Sequence, residues 1–146
     1  MVKPVHDLRI KIFADGAEKQ IMAELAKQPL IKGFTTNPTL MRKAGVTDYV
    51  AFAKEILSVI KDKPISFEVF SDDFSEMERQ ARIINSWAEN VYVKIPVTNT
   101  RGESSGELIK KLSTQGTKLN VTAILTLPQV ETVSQLLNPK IPAIVS

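Results

Sequence analysis

The chain has 146 residues, 43% hydrophobic and 24% charged, enough for one domain with a real core and ordinary for a globular protein. Nineteen basic against sixteen acidic residues give a net charge of +3 with no basic run or arginine/aromatic stripe, so neither nucleic acid nor a membrane is an expected partner. Zero cysteines exclude disulfides, thiolate metal sites and a cysteine nucleophile, and the single histidine, His6, leaves little scope for a metal centre or a triad. The N-terminal run "MVKPVHDLRIKIF" lacks the apolar stretch and cleavage site of a secretory leader, so a cytoplasmic enzyme or binding domain is the expectation.

Strand-like runs alternate with amphipathic helical patterns along the chain. The first strand, "RIKIFAD", ends at Asp15, and its junction "FADGAEK" has one glycine and no dinucleotide fingerprint. The second, "LIKGFTT", leads into Asn37 and Pro38, a pair that reads most simply as a turn. A helix follows in "DYVAFAKEILSVIKDK", where Val50, Ala53, Ile56, Leu57 and Ile60 recur at helical spacing. The strand "PISFEVF" precedes the helix "DDFSEMERQARIINSWAEN", whose inner face is Met77, Ala81, Ile84 and Ala88 and whose leading aspartates suit the helix dipole. Next comes the strand "VYVKIPV". The helix "SSGELIKKLSTQG" then opens on serines suited to capping and stops at Gly116. The strand "LNVTAIL", a helix starting near Thr126 and Pro128, and a last strand "IPAIVS" complete the series.

This alternation specifies parallel βα units, either as an open doubly wound sheet or as a (β/α)8 barrel. The side-chain period of two decides between them. Ser66, Glu68 and Phe70 share one face of their strand, Tyr92, Lys94 and Pro96 one face of the next, and Asn120 and Thr122 one face of the fifth. The opposite faces are aliphatic. Central strands of a doubly wound sheet are aliphatic on both sides because helices cover both. A second face that is polar strand after strand fits a barrel interior opening into a site. A full barrel takes about 250 residues. Six strand-like runs in 146 residues therefore predict a TIM-type barrel domain, residues 1–146, short of its last two strands. A longer parent chain, unusual local packing or a partner copy would complete it, so a homo-oligomer is among the expectations.

Lys94 is the sharpest feature, an ammonium in a run that otherwise reads as a buried strand. One reading is a snorkelling or salt-bridged lysine near a strand end. The other is an amine nucleophile, since enclosure by Tyr92, Pro96 and aliphatic neighbours destabilises the charged form and frees a lone pair for attack on a carbonyl. Asp15 is an acid/base candidate or a helix cap. Glu68 lies on a polar strand face, where glutamate is depleted unless it has a role. Asn120 and Thr122 serve either a site or cross-strand hydrogen bonding. The convergence of these groups at the C-terminal ends of parallel strands matches where barrels of this class hold their sites.

The runs "FADGA", "GFTTNPTL", "SFEVF", "VYVKIPVT" and "LNVTAIL", in that order, resemble the strand motifs of transaldolases, across essentially the whole chain. The resemblance implies a class I aldolase-type barrel that moves a dihydroxyacetone unit between sugar phosphates in the pentose phosphate pathway, with no metal or organic cofactor. By the same resemblance, Lys94 is the Schiff-base lysine and Asp15 the proton-handling aspartate. Glu68 and Thr122 position a catalytic water, while Asn37, Asn120 and Ser146 bind substrate. The related fructose-6-phosphate aldolases usually carry glutamine where this chain has Glu68, which favours transaldolase over a lyase. The family's phosphate-binding arginine follows the serine that Ser146 matches and has no counterpart in these residues, so an inactive barrel fragment is the competing expectation. A phosphosugar-binding barrel without Schiff-base chemistry is a third.

Overall fold

A computed structural model of the protein describes Pro4 and residues 9–146; His6 lies outside the described residues. The chain divides into two compact units, Met1–Ile65 and Ser66–Ser146.

The first unit begins with β1 (Ile12–Asp15), α1 (Lys19–Ala26) and β2 (Ile31–Thr35). The helices α2 (Pro38–Lys43) and α3 (Tyr49–Val59) follow. β1 and β2 pair in parallel, Asp15 beside Thr35, with an irregularity between Ile12 and Phe13. Sequence periodicity places α3, and Asp48 starts it by accepting the Ala51 N–H at 2.9 Å. Ala53, Ile56, Leu57 and Ile60 are buried as the spacing requires. Val50 is not: it is 41% exposed, and Phe52 takes an inner position instead. Asn37 is more than a turn residue. Its Oδ1 accepts the Leu40 N–H at 2.9 Å, so it caps α2, with Pro38 at the first helical position.

β3 (Ile65–Glu68) straddles the boundary by one residue, and the second unit continues through α4 (Phe74–Asn85) and β4 (Val91–Pro96). α5 (Gly106–Thr114), β5 (Leu119–Thr122), α6 (Leu127–Leu136) and β6 (Ile144–Val145) complete it. In the first unit β1 lies beside β2, and in the second the strands follow one another in chain order, with β4, β5 and β6 paired in parallel. A doubly wound sheet reverses its order at a switch point; neither unit shows such a reversal, and the six alternating β/α strands are those of a truncated (β/α)8 barrel. α4 begins at Asp73, whose side chain accepts the Glu76 N–H, and buries Met77, Ala81 and Ile84. It ends at Asn85, which leaves Ala88 beyond it. α6 carries a full capping box between Thr126 and Gln129.

Two strand and cap expectations need correction. The serines before α5 do not act as a simple N-cap: Ser105 Oγ is buried without a hydrogen-bond partner, and Ser104 Oγ accepts the Gly106 N–H at 3.1 Å. β5 stops at Thr122 and does not run to Leu125, because Ala123 turns to φ 62°. Gly116, at φ 90°, supplies the left-handed residue after α5.

No helix among the described residues is long and apolar enough to cross a membrane.

Candidate active site

β4 sets the site by strict alternation: Val91, Val93 and Ile95 are buried, and Tyr92, Lys94 and Pro96 on the other face are half-buried. Burial raises the Tyr92 phenol above its ordinary value and keeps it neutral. Lys94 Nζ stands 3.7 Å from Glu68 Oε2, with the two side chains 14% and 20% exposed. Bulk solvent reaches neither freely. The separation exceeds a direct hydrogen bond and suits exchange through one intervening water.

β5 adds the next polar residues in parallel register, Asn120 beside Lys94 and Thr122 beside Pro96. Asn120 is 1% exposed and ties three strands together: its Nδ2 donates to Ser66 Oγ on β3 at 3.0 Å, and its Oδ1 accepts from Ser146 Oγ after β6 at 2.9 Å. Backbone bonds hold the terminal serine, whose N–H donates to the Val121 carbonyl and whose carbonyl accepts the Ile124 N–H. The second unit thus gathers Lys94, Glu68, Asn120, Thr122 and Ser146 on the polar ends of adjacent strands.

The loops that follow β3 and β4 are fastened to each other. Both oxygens of Asp72 accept from Thr100, one from its N–H and one from its hydroxyl, each at 2.7 Å, and Arg101 Nη1 lies 3.8 Å away. The Thr100 hydrogen bonds hold the Asp72 carboxyl below its usual range, and Arg101 followed by Asn99 does the same for Glu103.

Asp15 and Asn37 belong to the first unit. Asp15, at the end of β1, accepts the Thr35 hydroxyl on Oδ1 at 2.9 Å and lines a cavity of about 280 Å³ with Glu18, Met22, Phe34 and Lys43. Asn37 spends its oxygen on capping α2. A wider cleft of about 560 Å³, between Phe74, Glu78, Lys111 and Gln115, contains none of these residues. It is an open furrow between α4 and α5, crossed by the Lys111–Glu78 ion pair at 2.8 Å. Among the described residues, no group of three His, Asp or Glu side chains is placed to hold a metal.

The family model of Transaldolase/Fructose-6-phosphate aldolase matches residues 12–146. The chain belongs to that family. A probable transaldolase of Dehalococcoides mccartyi is 37% identical over 120 residues, 82% of this chain and 54% of that protein. Probable transaldolase 2 of Listeria monocytogenes is 38% identical over the same share of the chain and 52% of its own length. A probable transaldolase of Methanococcus maripaludis is also 38% identical, with 53% of its length covered. The chain spans about half the length of the curated relatives it matches. Within this transaldolase-family chain, sequence reasoning did not single out Ser66 or the Asp72–Thr100 tie. Ser66 had a signal, its alternation with Glu68 on the polar face. The loop tie had none, because its partners lie 28 residues apart.

Proposed function

We propose that the chain carries the Schiff-base site of a transaldolase, which transfers a dihydroxyacetone unit from a ketose phosphate to an aldose phosphate. The observation that carries this reading is Lys94, half-buried on the polar face of β4 with the Glu68 carboxylate at 3.7 Å. Family membership supports it, and cytoplasmic pentose phosphate metabolism is the setting that the proposal includes.

In the proposed mechanism the Lys94 ammonium gives up a proton, the amine adds to the ketone carbon, and loss of water gives an iminium. The iminium accepts the electron pair of the adjacent carbon–carbon bond while Asp15 takes the proton from the hydroxyl on the departing side. An aldose phosphate leaves, and the three-carbon fragment remains on Lys94 as an enamine. An acceptor aldehyde then enters and the steps reverse, the enamine carbon attacking and Asp15 returning the proton. Glu68 and Thr122, on the strands either side of β4, hold the water that moves protons as the imine forms and breaks. Asn37, Asn120 and Ser146 hold the fragment's hydroxyls. A carboxylate at position 68, where related lyases usually carry glutamine, favours transfer over release of free dihydroxyacetone.

The test is reduction with borohydride in the presence of fructose 6-phosphate, followed by peptide mapping. A reduced three-carbon adduct on Lys94, absent from Lys94→Ala, is the expected result. Adduct formation elsewhere, or none, refutes the proposal.

A further inference from the structure

Asn120 raises a question of orientation. Its amide has two N–H donors and an oxygen with two lone pairs. Ser66 Oγ accepts one N–H and Ser146 Oγ donates to the oxygen. One N–H and one lone pair remain. Asn120 is in parallel register with Lys94 and on the same polar face, so whichever atom is left over is offered to a group bound at Lys94. A half-turn of the amide would exchange donor for acceptor at that point.

We infer that Ser66 is a positioning residue of the proposed site: it holds the plane of the Asn120 amide so that the amide's remaining polar atoms face the hydroxyl-bearing fragment held on Lys94. This rests on the Schiff-base reading above. Three observations support it. Ser66 is wholly buried, 0% exposed, so no bulk water can replace its hydroxyl as the partner of Asn120. It stands two residues before Glu68 on the same strand face, and so couples the strand that bears the carboxylate to the one that bears the amide. Ser146, the other partner, is exposed and follows a strand of two residues, so the buried anchor is Ser66. Two buried polar side chains that satisfy each other add little net stability over apolar residues of the same shape. What they add is direction.

The fragment's hydroxyls are both donors and acceptors, so an amide held in one plane keeps the enamine aligned for the incoming aldehyde. Ser66→Ala removes the buried partner and lets the amide swing about its side-chain torsions. Loss of one hydrogen bond of ordinary strength corresponds to about a five- to tenfold effect.

Two measurements on the 146-residue chain test this. In the first, proton exchange of the Asn120 side-chain amide is followed by NMR in the parent and in Ser66→Ala. The expected result is exchange about tenfold faster in the variant, with backbone amides of β5 unchanged. Unchanged side-chain exchange, or acceleration shared by the whole strand, overturns the inference. In the second, both proteins receive fructose 6-phosphate with and without an acceptor aldose. Borohydride-trapped Lys94 should fall less than about twofold, while the ratio of free dihydroxyacetone to transferred product rises about five- to tenfold. Trapping and transfer falling in parallel would mark a purely structural serine and overturn it. A parent that forms no Lys94 adduct refutes the transaldolase reading and this role with it. Lys94 labelled in both proteins with an unchanged ratio refutes this role alone.

Discussion

The Lys94–Glu68 pair can be measured by a double-mutant cycle, with Lys94→Met and Glu68→Gln as the two arms. Methionine keeps the unbranched stem and removes the ammonium; glutamine keeps the shape and removes the carboxylate charge. At 3.7 Å and an effective dielectric of about 20, the gross attraction is about 4 kcal/mol. Desolvation offsets much of that. The pair lies between an exposed bridge, worth about 0.2–1 kcal/mol, and a fully buried one, whose breakage costs about 3–5 kcal/mol. With side chains 14% and 20% exposed and no direct hydrogen bond, the expected coupling is about 1–2 kcal/mol. Each single variant should lose about that much stability, and the double variant should lose about 1–2 kcal/mol less than the two losses added together. Urea unfolding followed by Trp87 fluorescence reads this directly. Trp87 is the sole tryptophan and packs edge-on against Phe67, 5.4 Å between ring centroids, next to Glu68 in sequence. The double variant should also form no borohydride adduct, which separates what the pair does for folding from what it does for chemistry. A coupling below about 0.5 kcal/mol, the range of independent sites, would refute the reasoning.

Acid stability offers a second check. Arg79, and after it Gln80, hold the Glu76 carboxyl down to about 2, well below its ordinary 4.5. A depressed native value means that the contribution is complete above the unfolded value, near 4.5, and is lost as pH falls through about 2. The urea midpoint should drop across that window, and Glu76→Gln should flatten part of the drop; equal slopes in parent and variant would count against the Arg79 bond. Asn37→Asp separates two roles of one residue. The carboxylate keeps an oxygen for the Leu40 N–H, so thermal stability should change by less than about 0.5 kcal/mol, while loss of the amide donor should lower the transfer rate about tenfold or more. A variant with full transfer activity would remove Asn37 from the proposed substrate contacts.

How far the sequence discloses this molecule follows from the range of each signal. The strands are legible because a period of two needs only four to six residues, and "VYVKIPV" states its own two faces. The helices α3 to α6 are legible for the same reason over two to three turns. α1 carries weaker marks: no side-chain cap bond, no acidic residue in its first turn and no basic residue in its last. α2 has six residues, too few for periodicity, although Asn-Pro at its start carries a capping asparagine and a proline at the first helical position. Val50 fits the helical spacing yet faces outward, since Phe52 offers a larger apolar surface to the same core. The break after Thr122 depends on one left-handed alanine, a conformation that composition does not announce.

The site divides along the same line. Lys94 and Glu68 stand out because charge on a half-buried strand face is costly wherever the strand is placed, so the anomaly is local. Asn120 is a candidate with two readings, and Ser66 marks only a polar face, because a small polar residue there is unremarkable until its neighbour is known. Their partnership joins positions 54 residues apart, and that of Asn120 with Ser146 joins positions 26 apart. Both depend on register, and a slip of one residue would turn the amide to the aliphatic side. The pairing of Lys94 with Asn120 and of Pro96 with Thr122 fixes that register. On the proposed reading, a group attached to Lys94 meets an amide held two strands away by a serine whose one local mark is its place beside Glu68 on the polar face.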